Sequence, residues 1–265
     1  MKRYAGVWWK LARMSFLMQM TNRWSSLGWL GGKLVRLGFY FVFITAIFGH
    51  VSSVAGYSLA EVALFFLTFN IVDIVAQLFL RGIYMIGRDI REGDMDFYLI
   101  QPVNPLFRIA SNLVDFLDFF TLIPVIVVTA VILPKVMPGV PFWPALGRVG
   151  LYLALCANGV VIAFCLHVLI ASLTVRTQQM ENTIWLYRDL VSLGRFPVDI
   201  YAPFLRLLLT FVLPIAAMVT IPTRALLGLA SPKAVLLALA LSAGLTVLSL
   251  KSWKGALKHY SSVSS

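Results

Sequence analysis

Charge is scarce in this sequence. Of 265 residues only 12% are charged and 60% are hydrophobic, against about 25% and 45–50% in soluble domains. A soluble chain of this length must coat its core with polar residues, and this one lacks them. A soluble globular fold is therefore excluded, and an all-α polytopic membrane protein is expected. Acidic residues are the rarer sign, 11 against 22 Lys and Arg, for a formal charge of +11. No nucleic-acid-binding motif accompanies that excess. Lys and Arg collect in the cytoplasmic segments of membrane proteins, so membrane lipid rather than nucleic acid is the expected contact.

Other absences remove whole classes of chemistry. Cys156 and Cys165 are the two cysteines, and nine residues of helix turn through roughly 900° and advance about 13 Å. They fall on opposite faces, which excludes a disulfide between them on one helix. His50, His167 and His259 lie in separate segments, without HExxH or a Cys/His cluster, so no metal site is expected. There is no GxxxxGK[ST] phosphate loop (GGKLV at Gly31 has the wrong spacing) and no GxSxG elbow. An ATP site of that kind and a serine-hydrolase site are both excluded. The chain thus reads as having no catalytic residue and no cofactor of its own. Its first residues, MKRYAGVWWK, lack the apolar core and small-residue cleavage site of a signal peptide.

Long apolar runs are what the sequence has in abundance. About 20 helical residues cross a hydrocarbon layer of about 30 Å. Six runs are candidates: 37–57, 60–85, 109–133, 149–173, and the shorter 207–222, kinked at Pro214, and 234–250. Six crossings put both termini on one side. That side then carries 18 basic residues, leaving Lys135, Arg148, Arg224 and Lys233 on the other. The imbalance predicts cytoplasmic termini. Residues 1–33 read as a cytoplasmic, interfacial amphipathic lead-in. Residues 182–203, with Gly194 and Pro197, are too charged for a crossing and are expected to be interfacial or re-entrant. On the far side KVMPGVPFWPAL predicts a stiff, extended cap.

Polar residues inside so apolar a chain are the candidates for function. Asn70, Asp73 and Gln77 share one face of the second run, as the lining of a substrate path or as a seam between helices. Asp115 and Asp118 are expected to pair with Arg108 or with the basic N-terminal helix, and His167 to be a hydrogen-bonded helix contact. The densest signal is the loop 86–108. Asp89, Glu92, Asp94 and Asp96, four of the 11 acidic residues, fall within eight positions, among Arg88, Arg91, Phe97 and Tyr98 and before QPVNP. Apolar anchors with alternating charges are what a soluble partner can grip.

Three stretches resemble one family. IREGDMDFYLIQPVNPL has a Gly-Asp-apolar-Asp core and a following proline, at Gly93, Asp94, Met95, Asp96 and Pro102. GRFPVDIY followed by LLLTFVLPIAAMVTIPTRALLG carries Pro197, Pro214, Pro222 and Gly228. WKGALKHYSSVSS closes with Trp253, Lys258, Tyr260, Ser261 and Ser262. Together these resemble the permease subunits of ATP-binding-cassette exporters of the type-two class, in the six-helix bacterial branch. The resemblance implies an inner-membrane permease paired with a second permease, identical or a sister chain. Two copies of a separate ATPase subunit would bind ATP and Mg. It implies that Arg88, Asp89, Arg91, Glu92, Asp94 and Asp96 form the ATPase-coupling surface, with Phe97 and Tyr98 as anchors. The alternative from the residues alone is a proton-coupled secondary transporter using Asp73.

Overall fold

The computed structural model describes residues 2–177 and 183–261; Asn182 and Ser262, which head the expected interfacial segment and end the Tyr-Ser-Ser motif, lie outside the described residues. The chain runs α1 (Lys2–Thr21), α2 (Arg23–Phe48), α3 (Leu59–Leu80), α4 (Ile86–Arg91), α5 (Asp94–Ile100) and α6 (Pro105–Ala110). It continues α7 (Phe116–Val136), α8 (Phe142–Thr177), α9 (Thr183–Val191), α10 (Pro203–Phe211), α11 (Ile221–Leu227) and α12 (Pro232–Lys258). No strand occurs among the described residues. Five helices (α2, α3 with its continuation through α4, α7, α8 and α12) are long and apolar enough to cross a membrane. The protein is an all-α polytopic membrane protein.

Local chemistry sets the helix starts. Ser58 and Glu61 form a reciprocal capping box at α3, the Glu61 carboxylate accepting the Ser58 N–H at 2.8 Å. Asp115 accepts the Leu117 N–H at 3.1 Å to start α7, and Ser231 with Pro232 starts α12. Within the bundle, hydroxyls that have no water bond back to the preceding turn, as Thr68 does to the Leu64 carbonyl at 2.8 Å. α3 is the enclosed axis, with Val62, Leu64, Phe65 and Leu67 fully buried. α12 packs along α8.

Several boundaries differ from those expected. The first crossing helix starts at Arg23, not near residue 37, and takes Lys33 and Arg36 into its length; residues 49–57 form a non-helical connector. The extended cap is also corrected. Phe142, Trp143 and Pro144 already belong to the first turn of α8, where a missing N–H costs nothing because those donors have no helical partner.

The largest correction concerns the fifth pass. Arg188 of α9 donates to Gln77 and Tyr84, at the end of the bundle where the basic loops gather. The chain then climbs along α3. Gly194 packs against Phe69 and Ile215, the Arg195 carbonyl accepts from Tyr40 at 3.2 Å, and Asp199 meets Tyr57 at 3.1 Å. From Gln77 back to Leu59, the first residue of α3 and two residues from Tyr57, is about 27 Å along the helix axis, close to a full hydrocarbon thickness. Residues 183–200 therefore cross the bundle as α9 followed by two 3-10 turns, where an interfacial or re-entrant segment was expected.

Residues 203–227, expected to hold the fifth crossing, instead enter and leave at one end. Arg206 of α10 donates to the Asp199 carbonyl, Ile215 reaches inward to Gly194, and Arg224 of α11 returns to Asp199 at 2.7 Å and to Tyr57 at 2.8 Å. The two arms are bent by 77°, with Pro214 in the break. This hairpin is re-entrant, and the six-pass count is kept by a different segment.

Candidate functional site

Two polar assemblies stand out from this apolar bundle. The first is the turn-rich segment 81–115 at the basic end. Gly82 lies against α6 so closely that a Cβ there would stand 2.0 Å from the Ile109 carbonyl oxygen. Gly93, at φ +79°, reverses the chain between α4 and α5 in a left-handed conformation that favours glycine. Met95 and Ile90 are buried beneath.

A buried network ties the three short helices together. Tyr98 donates to the Asp89 carboxylate at 3.3 Å and accepts from Asn112 at 3.0 Å. The Arg108 guanidinium lies 4.7 Å from the centre of the Tyr98 ring and donates to Gln101 at 3.0 Å and Asn112 at 2.9 Å. Tyr260, beyond the end of α12, donates to Asp96 at 2.9 Å. Burial, and then the nearby Asp89 carboxylate, pushes the Tyr98 phenol up to about 12. Burial and the Asp96 bond do the same for Tyr260, to about 12. Both hydroxyls thus remain donors at any ordinary pH.

This geometry divides the expected surface in two. Asp89, 1% exposed, and Tyr98 are interior pieces that fix the shape of the loop. Arg88, Arg91, Glu92 and Phe97 face outward, with Arg88 and Glu92 paired at 3.6 Å along α4. Asp94 and Asp96 are half-buried between the two sets. The sequence reading missed Ile100, which is 78% exposed beside Phe97. It also missed Tyr260 as a clamp, although the closing Tyr-Ser-Ser motif was its signal. α1 braces the segment from outside: Tyr4 accepts the Asn104 N–H at 3.3 Å, and Gln19 donates to the Val114 carbonyl at 3.0 Å.

The second assembly is a partly open cavity of about 790 Å3 between α2 and α3, lined also by residues of α7 and α9. Asn70, Asp73 and Gln77 all line it. Asp73 and Gln77 are also a seam: Gln77 donates to Asp73 at 2.6 Å, and Arg188 approaches Asp73 at 3.7 Å. Asp115 and Asp118 pair not with Arg108 but with the last residue of the basic lead-in 1–33, which the structure places inside α2. Lys33 of α2 reaches Asp118 at 2.6 Å and Asp115 at 3.2 Å, while Arg108 is taken by Gln101 and Asn112. His167 is a helix contact, between the Ala163 carbonyl at 2.7 Å and the Tyr84 hydroxyl at 3.3 Å. No cluster of three or more potential metal ligands exists among the described residues.

Comparisons with curated proteins and with solved structures each gave no match. A family model described as ABC-2 family transporter protein matches residues 34–264, nearly the whole bundle, the clamped loop and the closing motif included. On that match, and with this fold, the chain belongs to the ABC-2 transporter family as a membrane permease.

Proposed function

We propose that this permease subunit couples to a separate ATPase and exports its cargo through a path formed by the polar cavity. The observation that carries the coupling is the clamped loop. Its inner face is fixed by Asp89, Tyr98, Asn112 and Tyr260, while its outer face presents Phe97 and Ile100 among Arg88, Arg91 and Glu92. A rigid element with exposed apolar anchors and mixed charge suits a soluble partner. It joins α3 to α7, so a push on it bears on two walls of the cavity. The basic residues at this end support a cytoplasmic position for it, and an inner-membrane assembly would comprise two permeases, identical or sister chains, over two ATPase subunits. ATP and Mg would sit on the ATPase.

The proton-coupled alternative draws no support from Asp73, whose carboxylate is engaged by Gln77 and Arg188. The test is co-purification from the native membrane. An ATPase subunit should accompany the wild-type chain, and Phe97→Ala with Ile100→Ala should lose it while the permease still inserts. Under the same reading, Asp94→Ala with Asp96→Ala should uncouple hydrolysis from transport. Transport that persists without any ATPase and collapses with the proton gradient would overturn the proposal.

A further inference from the structure

The cavity holds more positive charge than its walls neutralise. Lys33, Arg36, Arg81, Arg188 and Arg195 line it against only Asp73 and Asp118. Asp118 is taken by Lys33 and Asp73 by Arg188. Among the described residues, Arg36, Arg81 and Arg195 have no carboxylate in ion-pair contact. Arg36 stands within electrostatic reach of two like charges, Arg195 and Arg188, and of the two carboxylates, Asp73 and Asp118, that Arg188 and Lys33 already hold. A bundle this apolar does not gather like charges without cost, and guanidinium groups present planar forks matched to phosphate or carboxylate oxygens.

The wall is graded along the bundle. Arg36 lies 12 residues before the end of α2 at Phe48, roughly 18 Å from the far end, with Lys33 one turn nearer the basic end, while the Arg195 guanidinium lies 5.7 Å from the centre of the Phe69 ring. Farther in, Tyr40 stacks on Phe66 at 3.7 Å, and Phe69 continues the aromatic wall. One stripe of α2 keeps the space open. Gly28 and Gly32 precede Arg36 and Tyr40 at successive intervals of four, and a Cβ on either glycine would meet nothing within 4 Å.

We infer that the cavity takes the anionic group, of phosphate or carboxylate class, of the permease's cargo: Arg36 and Arg195 would hold the charge and the aromatic wall an attached apolar body. This rests on the cavity being the path proposed above, but its test needs no ATP. The complex as purified is titrated with short-chain phosphatidic acid, the matching phosphatidylcholine, and glycerol phosphate. Phosphatidic acid should bind about tenfold more tightly than phosphatidylcholine, the equivalent of one charge-assisted hydrogen bond. Arg36→Gln with Arg195→Gln should abolish that preference, Arg36→Lys with Arg195→Lys should restore part of it, and Gly32→Leu should weaken phosphatidic acid binding by filling the space.

Glycerol phosphate matching the lipid would sustain the anion site and assign it to a free anion; binding by the lipid alone would assign it to an amphiphile. Equal affinity of the wild-type complex for the two lipids overturns the inference whatever the variants do. So does a preference unchanged in a folded Arg36→Gln, Arg195→Gln protein. An ATPase that fails to co-purify would instead strike at the coupling reading and leave the binding result standing.

Discussion

Lys33→Met should destabilise the bundle strongly and in a pH-dependent way. The Lys33 ammonium sits 2.6 Å from Asp118 and 3.2 Å from Asp115, with side-chain exposures of 18%, 4% and 12% for the lysine, Asp118 and Asp115. Asp115 has a second use, capping α7 through the Leu117 N–H. Asp118 has none, and its Oδ2 has no hydrogen-bond partner. Removing one member of a buried pair costs about 3–5 kcal/mol because the other charge is left behind. The stranded carboxylate can escape by taking up a proton, which caps the cost. For an ordinary aspartate pKa of about 3.9, that cap is about 4 kcal/mol at pH 7 and about 1.5 kcal/mol at pH 5. Unfolding in mixed detergent should therefore show a loss of about 3–4 kcal/mol at pH 7 that shrinks by half or more at pH 5. Adding Asp118→Asn to Lys33→Met should return most of it, since the amide carries no charge to strand. A loss under about 1 kcal/mol at pH 7, or one unchanged at pH 5, would show that water screens the pair and refute the reasoning.

Tyr260→Phe removes the clamp on Asp96 and should cost about 1 kcal/mol, read as a several-fold fall in transport per ATP with the complex still assembled. Because the Tyr98 and Tyr260 phenols are raised from 10 to about 12, their contribution to stability is present below pH 10. It fades as pH climbs from 10 towards 12, so unfolding midpoints should show no loss from these phenols between pH 7 and 9. Gly82→Ala drives a Cβ into the Ile109 carbonyl oxygen, a backbone atom that no side-chain rotation can move. It should cost more than about 3 kcal/mol, whereas Gly6→Ala, which meets nothing within 4 Å, should leave thermal stability unlowered. Arg224→Met unpins the re-entrant hairpin from Asp199 and Tyr57. Hydrogen exchange should quicken across 203–227 and stay slow in the middle of α8.

What could be read from the sequence was whatever local composition decides. The apolar runs gave most of the crossings, and GDMD with its flanking charges marked the loop that the structure shows braced and clamped. The fifth pass was illegible because its charged groups find hydrogen-bond partners far away in sequence. Arg188 finds Gln77 at a separation of 111 residues, and Asp199 finds Tyr57 at 142. A window of hydropathy sees the charge and not the partner. The early start of α2 was hidden for the same reason, since Lys33 looks unaffordable until Asp118 is beside it. Asp89 and Tyr98 were placed outside because a lone sequence shows a carboxylate among charges, not the aromatic hydroxyl that folds back to cover it.

The broken fifth pass also constrains how the protein is made. Residues 183–200 carry Arg188, Asp189, Arg195 and Asp199, and each such charge at a helix centre opposes entry into lipid by about 2.5–3.5 kcal/mol. As it emerges from the ribosome, this stretch cannot partition into the bilayer alone. α3 is already in place to receive Arg188, but Asp199 waits for Arg224, which is synthesised 25 residues later. The hairpin that dips back into the bundle is thus the counterpart the fifth pass needs before it can settle. Biogenesis should proceed with α2, α3, α7 and α8 inserted first and 183–227 folding in as one unit, so that truncation just after residue 200 leaves the fifth pass outside the membrane.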